Sequence, residues 1–167
     1  MSYQPFASMR PDTFHADLQT QFEAFLDDHR AALEATLDGL SEEQARRRLV
    51  PSATTLLGLV QHGTFIERVW FDEAITGRSR AEIGIPDTPE ESFQLAPDAT
   101  IASVRAGYRA ACADSRAAAA ELDPDDIVTG NRRGPLPLRW IYLHQLRELA
   151  QHCGHADILR EQLLAAG

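Results

Sequence analysis

Apolar residues recur at three- and four-residue spacing in four long stretches of this chain, and each stretch reads as an amphipathic helix. In the first, Phe14, Leu18, Phe22, Phe25, Leu26, His29, Leu33 and Leu37 form one stripe. Asp12 or Thr13 is its expected N-cap and Gly39 its expected stop. A short helical turn over 42–47 follows, because Ser41 and Gln44 have the spacing of a capping box. The second long helix is expected from about Thr54 to Thr76, ended by Gly77. Leu59, His62, Ile66, Val69 and Glu73 share its inner stripe, with Trp70 and Phe71 beside it. Gly58 and Gly63 each reduce helix propensity there by roughly 1 kcal/mol, which suggests packing or binding close to the backbone.

The third long helix is expected after Pro97, with Asp98 or Thr100 near its start, and runs to about Leu122. Its inner face carries Ile101, Val104, Tyr108, Ala111, Cys112, Ser115 and Ala119. The fourth occupies Leu138 to Gly167. Residues 1–11 read as an extended arm. Residues 78–97 read as a proline-bearing loop, with at most a short helical turn, lying over one end of the bundle. Residues 123–137 read as irregular, and no stretch reads as a strand. The expectation is an all-α chain, a single domain over 1–167 and a four-helix bundle.

Composition narrows the function classes. The net charge is −9, which argues against nucleic-acid binding through a basic surface. All 16 basic residues are arginine, so no lysine is present for a Schiff base or a P-loop. Neither an apolar leader nor a membrane span is evident, so a cytoplasmic protein is expected. Cys112 and Cys153 are too few for a disulfide framework or a four-cysteine zinc site. Arg46-Arg47-Arg48 and Arg132-Arg133 are the densest positive groups; each is read as solvated charge, with anion binding as the alternative.

The last helix carries the chemistry. Residues four apart on a helix are offset by about 40° and residues three apart by about 60°. His144, Glu148, His152 and His155 therefore share one narrow stripe, with Ile141 and Leu159 on the same line. Apolar residues at both ends imply that this stripe faces the interior. A buried Glu148 then needs neutralising, and a divalent cation is the simplest means. Glu148 and His152, joined by His62 from the second helix, make a two-imidazole, one-carboxylate set. That set suits zinc, with nickel, iron or manganese as alternatives, and leaves a position open. His144 and His155 are candidates for a fourth ligand, an outer-shell partner or a general base. Cys153 lies about 140° from Glu148 and reads as a small core residue. His29, on the first stripe, reads as hydrogen-bonded packing. Arg147 and Arg160 lie off the histidine stripe.

Two blocks also carry a family resemblance: GLSEEQARRRLVPSATTLLGLVQHGTFIERVWF (39–71) and LRWIYLHQLRELAQHCGHADILRE (138–161). They resemble the signature stretches of the DinB-like superfamily, and more closely its uncharacterised actinobacterial subfamily. The resemblance implies a four-helix bundle with one histidine from the second helix and two ligands four apart on the last. Many members have histidine at both of those last positions; here the first is Glu148. That variant is similar to the mycothiol-dependent maleylpyruvate isomerases, which use a His, Glu, His zinc site. Carried over, the ligands are His62, Glu148 and His152, and His155 stands where many relatives have glutamine. The superfamily also holds metal-dependent hydrolases and bacillithiol or mycothiol S-transferases, and many members are homodimers.

The expected function is therefore a metalloenzyme acting on a small molecule. A metal ion would activate a low-molecular-weight thiol for S-transfer or isomerisation. The alternatives are a metal-dependent hydrolase and a non-catalytic, stress-related metal-binding bundle. Arg132, Arg133 or the 78–97 loop is expected to hold polar groups of the thiol.

Overall fold

The computed structural model describes residues 11–165. The expected N-terminal arm falls almost wholly outside them. The described residues are all-α apart from one minimal hairpin. Its four long helical segments are α1 (Leu18–Ala35), α3 (Leu56–Glu67) with its continuation, α6 (Ile101–Ala119) and α7 (Leu138–Ala165). Shorter α2 (Glu42–Arg46) and α5 (Arg80–Ile83) lie between them.

Local chemistry sets these boundaries. Asp17, not Asp12 or Thr13, caps α1 by accepting from the Thr20 amide; Pro11–Thr13 is instead a separate 3-10 turn. The Phe14 and Leu18 end of the expected stripe is accordingly exposed. Gly39 takes a left-handed φ of 72° beyond α1, and the Ser41–Gln44 capping box opens α2 as expected. Thr55 caps α3 and Thr100 caps α6. After Glu67 the helix widens into a π-helical turn, Arg68–Glu73, and closes with α4 (Ala74–Thr76), which Gly77 ends at φ 74°. The wider turn keeps Val69, Trp70, Phe71 and Glu73 all buried, although one α-helical stripe would not hold all four.

Side-chain contacts give the helix directions. Phe22 stacks on Tyr142, the Cys153 thiol faces the His29 carbonyl, and Arg160 reaches the Thr36 carbonyl, so α1 and α7 run parallel. Glu67 meets Gln145 and His62 meets His152, so α3 and α7 run antiparallel. Arg109 pairs with Glu34 and Arg116 with Asp27, so α6 opposes α1. Gly63 lets α6 approach closely: a Cβ there would stand 2.9 Å from the Tyr108 ring and 3.0 Å from Leu33. Leu33, Leu57, Ile141 and Leu149 lie at the centre of the core with no exposure. A buried ion pair crosses it, Arg30 with Glu67, joined by Gln145.

Two expectations are corrected. A strand pair does exist: β1 (Ile127–Val128) pairs antiparallel with β2 (Leu136–Pro137). Two residues per strand are too few to show alternation in the sequence. The 78–97 loop lies against the flank of α3 instead of over an end of the bundle: Gln61 donates to the Ser92 and Gln94 carbonyls. Among the described residues no helix is long and apolar enough to cross a membrane.

Candidate active site

His62, His144, Glu148 and His152 all line one cleft of about 580 Å³ between α3, α7 and the two loops. Burial of the Leu59–His62–Ile66 stripe turns His62 inward, leaving it only 4% exposed. The i, i+4 spacing on α7 places His144 and His152 on either side of Glu148. His144 Nε2 is 3.7 Å from Glu148 Oε1, and His152 Nε2 is 3.8 Å from Oε2. The His62 and His152 rings meet edge-on with centroids 4.7 Å apart.

His62 has a defined tautomer. Its Nδ1 lies 2.6 Å from Ser92 Oγ, and the Ser92 hydroxyl donates its only proton to the Pro89 carbonyl at 2.5 Å. Ser92 Oγ must then accept, so His62 Nδ1 carries the proton and Nε2 presents a lone pair. Phe93 stacks on the same ring at 4.2 Å and holds its plane. Burial, reinforced by neighbouring His152, pushes His62 down to about 3, so the imidazole is neutral at pH 7. His152 is also shifted down, by burial first, against the opposing pull of Glu148. Its Nδ1 is buried without a hydrogen-bond partner.

His144 is held differently. Arg147 donates to its Nδ1 at 2.8 Å, so the remaining proton sits on Nε2, facing Glu148. Trp140 stacks on the ring at 4.9 Å and Trp70 meets it edge-on at 4.4 Å. Arg147 also reaches Glu148 Oε1 at 3.3 Å, because its long side chain folds back toward the stripe its backbone position avoids. His155 does not line this cleft. It is exposed and lines a separate cavity with Val50, Ser52 and Ile158, touching the site only through an edge contact to His152. Helical angle alone put it on the stripe, but one turn further on α7 has left the cover of the loops.

The other singled-out residues are placed as follows. Cys112 and Cys153 are buried and free, and burial pushes both thiols up to about 12. Half-buried His29 donates from Nδ1 to the Phe25 carbonyl at 2.7 Å. Arg46 and Arg48 donate to backbone carbonyls of Ala96, Ala99, Pro51 and Ser52. The site residues that sequence reasoning passed over are Ser92, Trp140 and Arg80, and Arg147 was set aside as lying off the stripe. Ser92 sits in a loop without periodicity, and nothing in the sequence links it to His62.

The donors suit a divalent cation: two neutral imidazoles, one with its lone pair set by a hydrogen bond behind it, and a carboxylate between histidines. Two donors on one tetrahedral zinc lie roughly 3.3 Å apart, so the 3.8 Å between His152 and Glu148 needs little closure. Among the described residues, no three His, Cys, Asp or Glu side chains form a ready-made metal cluster.

The fold and these two blocks define a member of the DinB-like superfamily. Within it, the family model described as Mycothiol-S-transferase matches residues 21–165, and the chain belongs to that family. No curated protein matches the chain.

Proposed function

We propose that this protein is a metal-dependent thiol S-transferase or isomerase, with His62, Glu148 and His152 as ligands of a zinc-like divalent ion and mycothiol as the thiol. The observation that carries the reading is the Pro89–Ser92–His62 relay, which aims a neutral imidazole lone pair into a cleft shared with Glu148 and His152. Family membership supplies the thiol. A divalent ion bound there lowers the pKa of a thiol sulfur and so supplies the nucleophile at neutral pH. The chain's own residues do the rest. Ser92 fixes the His62 tautomer. His144, with its proton on Nε2, orients the Glu148 carboxylate, and Arg147 offsets its charge. Phe93 and Trp70 line the cleft, and Trp140 backs His144.

An open position favours catalysis over a structural site. His144 has Nδ1 occupied by Arg147 and a proton on Nε2, so it is not a fourth ligand, and His155 lies outside the cleft. We give His155 no role in holding the ion. A cytoplasmic location and a homodimer belong to this reading; sedimentation measures the second. The test is conjugation of mycothiol to 1-chloro-2,4-dinitrobenzene by metal-loaded protein: the sulfur–carbon bond forms and chloride leaves. Thiol-dependent turnover lost at least about a hundredfold in His62→Ala is expected, comparable to removing a catalytic metal function. Absence of turnover with mycothiol and with bacillithiol across electrophiles would overturn the thiol reading and leave the hydrolase and the non-catalytic metal-binding bundle.

A further inference from the structure

The chain is acidic, yet this cleft is lined by four arginines, Arg80, Arg132, Arg133 and Arg147, against two glutamates, Glu73 and Glu148. Three of the four have acidic partners. Arg80 and Arg132 both reach buried Glu73, at 2.9 and 3.5 Å, and Arg132 also reaches Asp87 at 3.9 Å. Arg147 pairs with Glu148 at 3.3 Å. Among the described residues, the Arg133 guanidinium has no acidic partner. It lies instead over the rings of Trp70 and Trp140, 6.0 and 5.9 Å from their centroids.

Arg133 is exposed, but the loop that carries it is anchored, which fixes where its side chain starts. Gly130 donates to the Ala74 carbonyl at 3.0 Å, and a Cβ at Gly130 would stand 2.2 Å from the Glu73 carbonyl oxygen. Buried Asn131 accepts from the Arg133 amide and donates to the Gly134 carbonyl, both at 2.8 Å. A guanidinium held about 6 Å above two indole rings by cation–π attraction keeps its forked N–H donors free for a planar anion. Arg133 connects to the candidate metal ligands through Trp140, which stacks on His144, which in turn faces Glu148.

We propose that Arg133, presented on the Trp70–Trp140 platform, is the carboxylate-binding subsite of the cleft, so that the electrophilic substrate is an organic carboxylate. This rests on the reading of the cleft as the substrate site, but the subsite needs neither thiol nor metal to be tested. The chain has two tryptophans, and both lie under Arg133, so intrinsic fluorescence reports on the subsite directly. The experiment titrates metal-free protein with maleate and, separately, with neutral maleamide. Saturable change with maleate alone is expected, with affinity weakened roughly tenfold or more in Arg133→Ala, the usual scale for a charge-assisted bidentate contact. Arg133→Lys should recover little of it, because an ammonium lacks the fork. Arg139→Ala, at an exposed arginine outside the cleft, should bind like wild type. An equal response to maleamide, or maleate affinity unchanged in Arg133→Ala, overturns the subsite. Thiol-dependent turnover is a separate readout, so its failure leaves the maleate result standing, and the converse also holds.

Discussion

Arg30→Met tests how the helices that carry the site are held together. Arg30 on α1 is 5% exposed and Glu67 on α3 is fully buried. The contact is bidentate, Nε to Oε1 at 2.9 Å and Nη2 to Oε2 at 2.7 Å, and Gln145 on α7 donates to Oε1 at 3.0 Å. Burial alone would lower the guanidinium pKa, and the Glu67 carboxylate more than offsets it, so Arg30 stays charged. Arg30→Met removes two of the three hydrogen bonds to Glu67 and leaves a carboxylate in the core. Breaking one side of a buried pair costs about 3–5 kcal/mol. For a chain of this size each kcal/mol moves Tm by roughly 2–4 °C, so a fall of about 6–20 °C is expected. Replacing both partners, Arg30→Met with Glu67→Leu, removes the stranded charge and should recover most of the loss. Thermal and urea melts of wild type, both single variants and the double variant complete the cycle. A single variant costing under about 1 kcal/mol, or a double variant as unstable as the sum of the singles, would refute the reasoning.

Three further outcomes follow from the site. Ser92→Ala frees the His62 tautomer and should weaken divalent-metal affinity about 10–100-fold, measured by competition with a chromophoric chelator, and should cost about 1–3 kcal/mol of metal-free stability because the buried His62 Nδ1–H loses its acceptor. Gly130→Ala forces the 129–135 loop away from Glu73 and should cost about 1–3 kcal/mol by urea melt, whereas Gly154→Ala, inside α7 with nothing near its Cβ, should stabilise by up to about 1 kcal/mol. The pH dependence follows from the histidines. His62, His144 and His152 all titrate lower in the folded chain, chiefly through burial. The unfolded chain therefore takes up protons first, near pH 6.5, and stability falls as pH drops below that, for His62 down toward pH 3, by up to about 1.4 kcal/mol per pH unit for a histidine that stays neutral in the fold. Metal-free melts at pH 7.5 and 5.5 should show this loss, with a smaller slope in His62→Asn; equal slopes would contradict it.

Periodicity exposed the four helices and the inward face of His62, because each depends on spacing along one helix; Glu148 was expected to be buried but is 25% exposed, at the edge where α7 borders the cleft. It did not expose Ser92, Arg30 or the Trp70–Trp140 platform, because those are meetings between elements far apart in sequence. The π-helical turn was hidden for another reason: a single extra residue in a turn shifts the face without changing the composition. His155 shows the limit of helical angle, which places a residue on a stripe but does not say where the neighbouring loops stop covering it. Arg133 was visible as charge, and only the docked loop shows that it is positioned.

The central claim is that His62, Glu148 and His152 bind one divalent ion together. Its most direct test is equilibrium zinc binding to metal-free wild type, His62→Ala, Glu148→Ala, His152→Ala and His155→Ala, read by elemental analysis after gel filtration. One zinc per chain in wild type and in His155→Ala, with strong loss in the other three, is the predicted result. Equal trace metal in all five proteins, or loss with His155→Ala alone, would contradict it.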